Sequence, residues 1–230
     1  AKEDDRLFML MRRTQSQADL ISKPEFSVFK PLNTDLGWNV QVKSISKYNS
    51  MFYEPDGENL LHPIGYTCAL STLSNMRGFD ASDIQLLIYD EFIPEKHERL
   101  LKNEADALFN AYETINRNRE LNDLPPVKLI CLANSNRIDN PLFMELNLVR
   151  KAEKIRSSGT DYIYDDKRHM LLIDLYRSKI SEEKSNTALY ELTRGTDFYN
   201  MAIKNVFINE ERGRIETKPI KEYKPIVAIS

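Results

Sequence analysis

Two short apolar runs, each ending abruptly in polar residues and separated by one amphipathic stretch, constrain this chain more than anything else in it. Asp83 to Phe92 (DIQLLIYDEF) sets Ile84, Leu86, Leu87, Ile88 and Tyr89 in almost unbroken order before two acids. Val127 to Ala133 (VKLICLA) does the same before Asn134-Ser135-Asn136-Arg137. Such runs, with no polar alternation, belong to strands buried on both faces, as in parallel sheets covered by helices. Between them Leu101, Ala105, Leu108, Phe109, Tyr112 and Ile115 recur at three- and four-residue spacing, which predicts a helix from Glu95 to the neighbourhood of Arg119. Pro125-Pro126 closes the connection behind it. Strand, helix, strand is a right-handed crossover between parallel neighbours.

The remaining segments fit around that unit. Arg6 to Met11 (RLFMLM) predicts a third buried strand with Arg12-Arg13 at its carboxyl end, and polar Thr14 to Asp19 leads away from it. Trp38 to Ile45 alternates apolar and polar, and Met51-Phe52-Tyr53 runs into Glu54-Pro55-Asp56-Gly57, so a β-hairpin insertion is expected there. Met170 to Tyr176 predicts a further strand, and Glu182 to Arg194 a short helix ended by Gly195. Val206-Phe207-Ile208 and Ile226-Val227-Ala228-Ile229 are weaker strand candidates. With 41% apolar and 29% charged residues, a core of this size holds without staples, and Cys68 and Cys131, both inside apolar runs, are expected as reduced buried thiols. No window has the apolar length of a membrane span or signal peptide. A net charge of −3 argues against coating nucleic acid by bulk electrostatics, so any DNA contact is expected to be local.

Open parallel sheets bind ligands at the carboxyl ends of their strands. Three such ends here carry Arg12-Arg13, Asp90-Glu91 and Asn134. An apolar run followed by Asp-Glu is a Walker B arrangement: Asp90 would orient water around a Mg²⁺ that bridges nucleotide phosphates, and Glu91 would polarise the attacking water. The bland reading is a strand that ends in solvated acids. Asn134 at the tip of the next strand occupies the place of a γ-phosphate sensor, or else is an ordinary turn residue. Arg117-Asn118-Arg119 lies at the far end of the helix, where an arginine reaches a neighbouring subunit's nucleotide in a ring, or merely favours the helix dipole. His62, His97 and His169 have no metal-ligand spacing.

Leu87 to Lys96 (LIYDEFIPEK), Asn103-Glu104 with Ala107-Leu108, Asn116 to Glu120 (NRNRE), Ile130 to Asn134 (ICLAN), and Asn140-Pro141 with Asn147-Leu148-Val149 follow one another as a series of blocks. Together they resemble the ATPase domain of podovirus DNA-encapsidation proteins. Weaker similarity covers Phe8 to Arg13 and Gly195 to Tyr199 with Met201. The resemblance implies a P-loop NTPase of RecA-like (ASCE) type, a three-layer α/β sandwich with a mostly parallel central sheet and a β-hairpin insertion. It implies ATP and Mg²⁺ as cofactors, and a ring motor, usually pentameric, that docks in the host cytoplasm on the portal (connector) protein of a procapsid. That motor drives double-stranded DNA inward, in some relatives with a packaging RNA. Position by position, Asp90 and Glu91 match the Walker B pair, Arg117 the trans-acting arginine and Asn134 the sensor. Lys96 falls on a family lysine without an assigned role, and Arg12, Arg13 and Arg119 are left between nucleotide, DNA and neighbouring subunit.

One departure is large. The family's phosphate loop, G-x-x-x-x-G-K-[ST], has no match in these 230 residues. The expectation is therefore an ATPase domain over residues 1–217 that lacks its Walker A segment, with that segment upstream in the intact protein, and residues 218–230 opening a linker towards a C-terminal domain. The competing expectations are a non-catalytic ring or portal assembly module that has lost nucleotide binding, and a metal-dependent nuclease using Asp90 and Glu91 directly.

Overall fold

The computed structural model describes residues 7–55, 61–76, 81–95, 98–134, 138, 140–175 and 183–204. Its centre is a six-stranded sheet. Strand β1 (Leu7–Arg12) pairs in parallel with β4 (Leu61–Ala69) on one side and with β5 (Ile84–Asp90) on the other, and β5 pairs in parallel with β6 (Lys128–Leu132). An antiparallel hairpin of β2 (Gln41–Ser44) and β3 (Ser50–Pro55) continues the sheet beyond β4, giving the order β2-β3-β4-β1-β5-β6. The three expected buried strands thus lie side by side. The hairpin forms as expected, yet it extends the main sheet through β3–β4 pairing rather than standing apart as an insertion.

Strand β4 was invisible to periodicity. Pro63 and Gly65 both argue against a strand interior. Pairing of β1 begins only at Gly65, however, so Pro63 precedes the doubly paired stretch. Gly65 has its own reason: a Cβ there would lie 2.4 Å from the Phe8 ring.

Alternation along the strands divides the core in two. Met9, Met11, Leu87 and Tyr89 face helix α3 (Glu104–Asn116), α4 (Pro141–Glu145) and α5 (Val149–Ser158) in the larger cluster. Phe8 and Leu10 face the other way, towards Ile21 of α1 (Gln15–Ile21), Val40, and Phe29 just before α2 (Lys30–Leu36). There Phe8, Phe29 and Phe52 pack with ring centroids 5.1–5.9 Å apart. The sheet is covered on both faces, as strands that are apolar on both sides require.

Four segments differ from the sequence expectation. Polar Thr14 to Asp19 is not a loop: Thr14 caps α1 and forms a capping box with Gln17. Helix α3 starts at Glu104 rather than Glu95: Arg13 takes the Arg99 carbonyl, and left-handed Asn103 stands immediately before the helix. Of Met170 to Tyr176, residues Met170–Ile173 form β8, paired among the described residues only with β7 (Tyr162–Asp165) in a separate hairpin. Over the expected helix from Glu182 to Arg194, residues 183–185 are helical and a turn at 186–187 separates them from α6 (Ala188–Leu192), with left-handed Gly195 and α7 (Asp197–Lys204) after it. The candidate strands at 206–208 and 226–229, the turn residues Asp56-Gly57 and the linker residues 218–230 lie outside the described residues.

Candidate functional site

The sheet's carboxyl rim gathers the charged residues. By continuation of the β1–β5 register, Arg12 stands opposite Asp90, and its guanidinium holds both acids: Nη2 is 2.9 Å from Asp90 Oδ2 and Nη1 is 2.6 Å from Glu91 Oε2. The Arg12 side chain is 12% exposed, against 28% for Asp90 and 53% for Glu91, so the acids open to solvent over a cation that is nearly covered. Among the described residues the buried Arg12 Nε has no hydrogen-bond partner, which leaves one donor of the fork unspent there.

Glu91 has φ 56°, in the left-handed region that a residue with a Cβ seldom occupies. Asp90 Oδ1 accepts the Glu91 N–H at 3.0 Å, and Phe92 N–H returns to the Leu132 carbonyl at 3.3 Å. The β5–β6 pairing therefore resumes after one residue, and Glu91 is pushed out of the ladder. Local backbone strain of this kind persists where surroundings over-determine it, and it concentrates at functional sites.

On the opposite face of the same rim lies a buried cluster. Arg13, 1% exposed, donates from Nε to Glu104 Oε1 at 2.9 Å and from Nη2 to Glu104 Oε2 at 3.1 Å, and Glu104 is itself 4% exposed. The Tyr89 hydroxyl donates to Glu104 Oε1 at 2.6 Å. Arg13 also reaches the Arg99 carbonyl at 3.0 Å and Glu98 at 3.4 Å. Burial works against the Arg13 charge, but the hydrogen bond and charge of Glu104 more than offset it and hold the guanidinium above its ordinary pKa. Burial, then the Glu104 charge, pushes the Tyr89 phenol well above its ordinary value, so it remains a donor.

The other expected residues are placed as follows. Asn134 follows β6 on the same rim as the acids, since Asp90 registers with Leu132, and it is exposed. Arg117 is exposed at the C-terminal end of α3, at the opposite rim from the acids: the neighbouring Asn116 accepts from Val127 N–H at the start of β6. Arg119 is spent on the Ser82 and Pro125 carbonyls, each at 2.9 Å, beside a cleft of about 460 Å³ at that same amino rim. Neither arginine meets Asp90 or Glu91 of its own chain. Lys96 lies outside the described residues.

The model of the podovirus DNA encapsidation protein family (Gp16) matches residues 9–230. The chain belongs to this family. Among curated relatives, the DNA packaging protein of Bacillus phage phi29 is 32% identical over 156 residues, which cover 67% of this chain and 43% of the relative. The DNA packaging protein of Bacillus phage B103 is 31% identical over 156 residues, 67% of this chain and 44% of the relative. The chain thus spans less than half the length of the relatives it matches. Among solved structures, the N-terminal domain of the DNA packaging ATPase from bacteriophage phi29 superposes with a TM-score of 0.54 at 22% identity, covering 75% of this chain and 76% of that one. The Phi-28 gp11 DNA packaging motor gives a TM-score of 0.61 at 20% identity, over 96% of this chain and 61% of that one. The mixed α/β architecture with a six-stranded, mostly parallel sheet is accordingly one shared with encapsidation ATPase domains.

Sequence reasoning left Glu104 without a role and treated Arg12 and Arg13 as one basic pair. The period of two along a strand already separates them, sending one to each face of the sheet. The left-handed turn at Glu91 carries no such signal. Asp90 and Glu91 offer carboxylate oxygens, the donor type that Mg²⁺ takes, and among the described residues no group of three or more metal-ligating side chains gathers.

Proposed function

We propose that this chain forms the larger part of the ATPase domain of a phage genome-packaging motor, which threads double-stranded DNA through the portal into a procapsid. In this reading the fold is a P-loop NTPase of the ASCE type. The strand leading into the phosphate loop, from the segment upstream of residue 1, pairs with the outer edge of β6, the last strand of the sheet among the described residues. ATP with Mg²⁺ supplies the phosphoryl group, its leaving group and the charge-neutralising cation.

The residues of this chain then divide the work. Asp90, whose carboxylate is part-exposed at the rim, would hold Mg²⁺ when the nucleotide brings it. Glu91, thrown clear of the ladder by its left-handed backbone, orients the attacking water and takes its proton. Arg12 pairs with both acids and fixes where their carboxylates stand at the rim. Asn134, on the adjoining strand end, offers its amide to the γ-phosphate. Arg117, at the opposite rim, acts on the neighbouring subunit of a ring.

The observation that carries the reading is the strained, exposed Glu91 beside Asp90, both held by Arg12 at the carboxyl end of a central strand. The full-length protein with Glu91→Gln tests it. ATP affinity should stay within about threefold of wild type, while hydrolysis falls by roughly 10²- to 10⁴-fold, the range for a lost general base. Equal losses in binding and turnover, or unchanged turnover, would remove Glu91 from the chemistry.

A further inference from the structure

Arg13, Glu104 and Tyr89 are immediate chain neighbours, or partners of neighbours, of the residues that form the proposed site. Arg13 follows Arg12 on β1, and Tyr89 precedes Asp90 on β5. Because consecutive side chains point to opposite faces, Arg12 and Asp90 meet on one side of the rim, and Arg13 and Tyr89 meet Glu104 on the other. Two charge clusters therefore sit back to back across a single layer of backbone, joined by the peptides 12–13 and 89–90.

The buried cluster is poorly explained as a stabiliser. Taking a guanidinium and a carboxylate out of water carries a desolvation cost that their attraction barely repays, and apolar groups of the same shape commonly do as well or better. What a paired, fully bonded cluster supplies instead is fixed geometry. Glu104 receives two nearly parallel donors from Arg13 and a third from Tyr89, at 2.6–3.1 Å, and so clamps the end of β1 to the end of β5 through the first residue of α3. Arg13 extends the clamp to Glu98 and the Arg99 carbonyl, and Glu98 in turn accepts from Gln17 in α1 at 3.1 Å.

We infer that Glu104, with Arg13 and Tyr89, is a positioning device for the proposed ATPase site: it fixes the spacing of the two strand ends so that Arg12 reaches Asp90 and Glu91 together. The inference rests on the functional reading above. None of the three residues touches the reacting groups. Their effect passes through Arg12, which makes it separable from a general loss of fold.

The test uses the full-length protein, with ATPase kinetics, ATP affinity and thermal melting measured on Tyr89→Phe, Glu104→Gln, Arg12→Gln and the double variant Tyr89→Phe/Arg12→Gln, beside Glu91→Gln. Tyr89→Phe removes one hydroxyl and keeps the ring, so it is the variant that decides if Glu104→Gln does not fold. Its kcat should fall about tenfold or more, the effect of a shifted catalytic geometry, with ATP affinity within about twofold of wild type. In the Arg12→Gln background the same substitution should change kcat by less than about twofold, because the device has nothing left to position. A folded Tyr89→Phe protein with wild-type kcat, or losses that multiply in the double variant, would overturn the inference while wild-type turnover and its abolition by Glu91→Gln leave the functional reading standing. A wild-type protein without ATPase activity would remove both.

Discussion

Glu91 shows how far single letters carry. The Asp-Glu pair after an apolar run is legible, because a strand buried on both faces must end in polar residues and this one ends in acids. The left-handed backbone that lifts Glu91 out of the ladder is not legible, since glutamate has no preference for that region and nothing in its neighbours demands it. The strain has a measurable consequence. Asparagine tolerates positive φ better than most residues with a side chain, whereas glutamine shares the glutamate backbone preference. Both substitutions remove the charge and the ion pair with Arg12. Glu91→Asn should therefore be more stable than Glu91→Gln by about 0.5–1 kcal/mol in denaturant melts of the same protein, while both lose turnover. A less stable asparagine variant would mean that φ at this position relaxes without cost and that the turn is not strained. The adjacent arginines make the complementary point: a rule as simple as alternation separates Arg12 from Arg13, but only the packed α3 reveals that one of those faces contains a buried carboxylate.

Elements with a strong period were found, and elements held by tertiary contacts were not. Strands β1, β5 and β6 and the body of α3 follow from apolar spacing alone. The start of α3 does not, because Glu98 and the Arg99 carbonyl are drawn to Arg13, a residue more than eighty positions earlier. Helix α1 buries only Ala18 and Ile21, too few for a periodic signal, although its Thr14-to-Gln17 capping box was present in the letters. Strand β6 poses a different question, because its outward edge has no partner among the described residues and Leu132 is 47% exposed. Exposed edges invite pairing and are usually guarded by charge, proline or a bulge. This edge is an apolar stretch, and burial pushes the Cys131 thiol within it up to about 12. If the upstream segment supplies the next strand, the outward amides of β6 should exchange with solvent at least about tenfold more slowly in the full-length protein than in this 230-residue chain, while amides of β1 change less. Equal exchange of β6 in both would place that strand elsewhere.

For the molecule as a whole, the two rims of the sheet do different things. The acids, Arg12 and Asn134 occupy the carboxyl rim, whereas Arg117 projects from the C-terminal end of α3 at the amino rim, and α3 spans the distance between them. An arginine so placed cannot serve the acids of its own chain without taking the sheet apart. A neighbouring copy in a ring can present its carboxyl rim to it, and a planar, permanently charged fork is suited to the charge that develops in phosphoryl transfer. On the proposed roles, full-length subunits carrying Arg117→Ala keep their own acids and subunits carrying Glu91→Gln keep their arginine, so each should be inactive alone, whereas a mixed ring should contain some junctions with both functional groups. Mixing the two should restore ATP turnover to roughly a quarter of the wild-type rate at equal proportions, the statistical share of intact junctions if binding and ring assembly are unchanged. Recovery that is absent at every mixing ratio, with rings of normal size seen by mass, would show that Arg117 does not act across a boundary, and the separation of the two rims would then need another explanation.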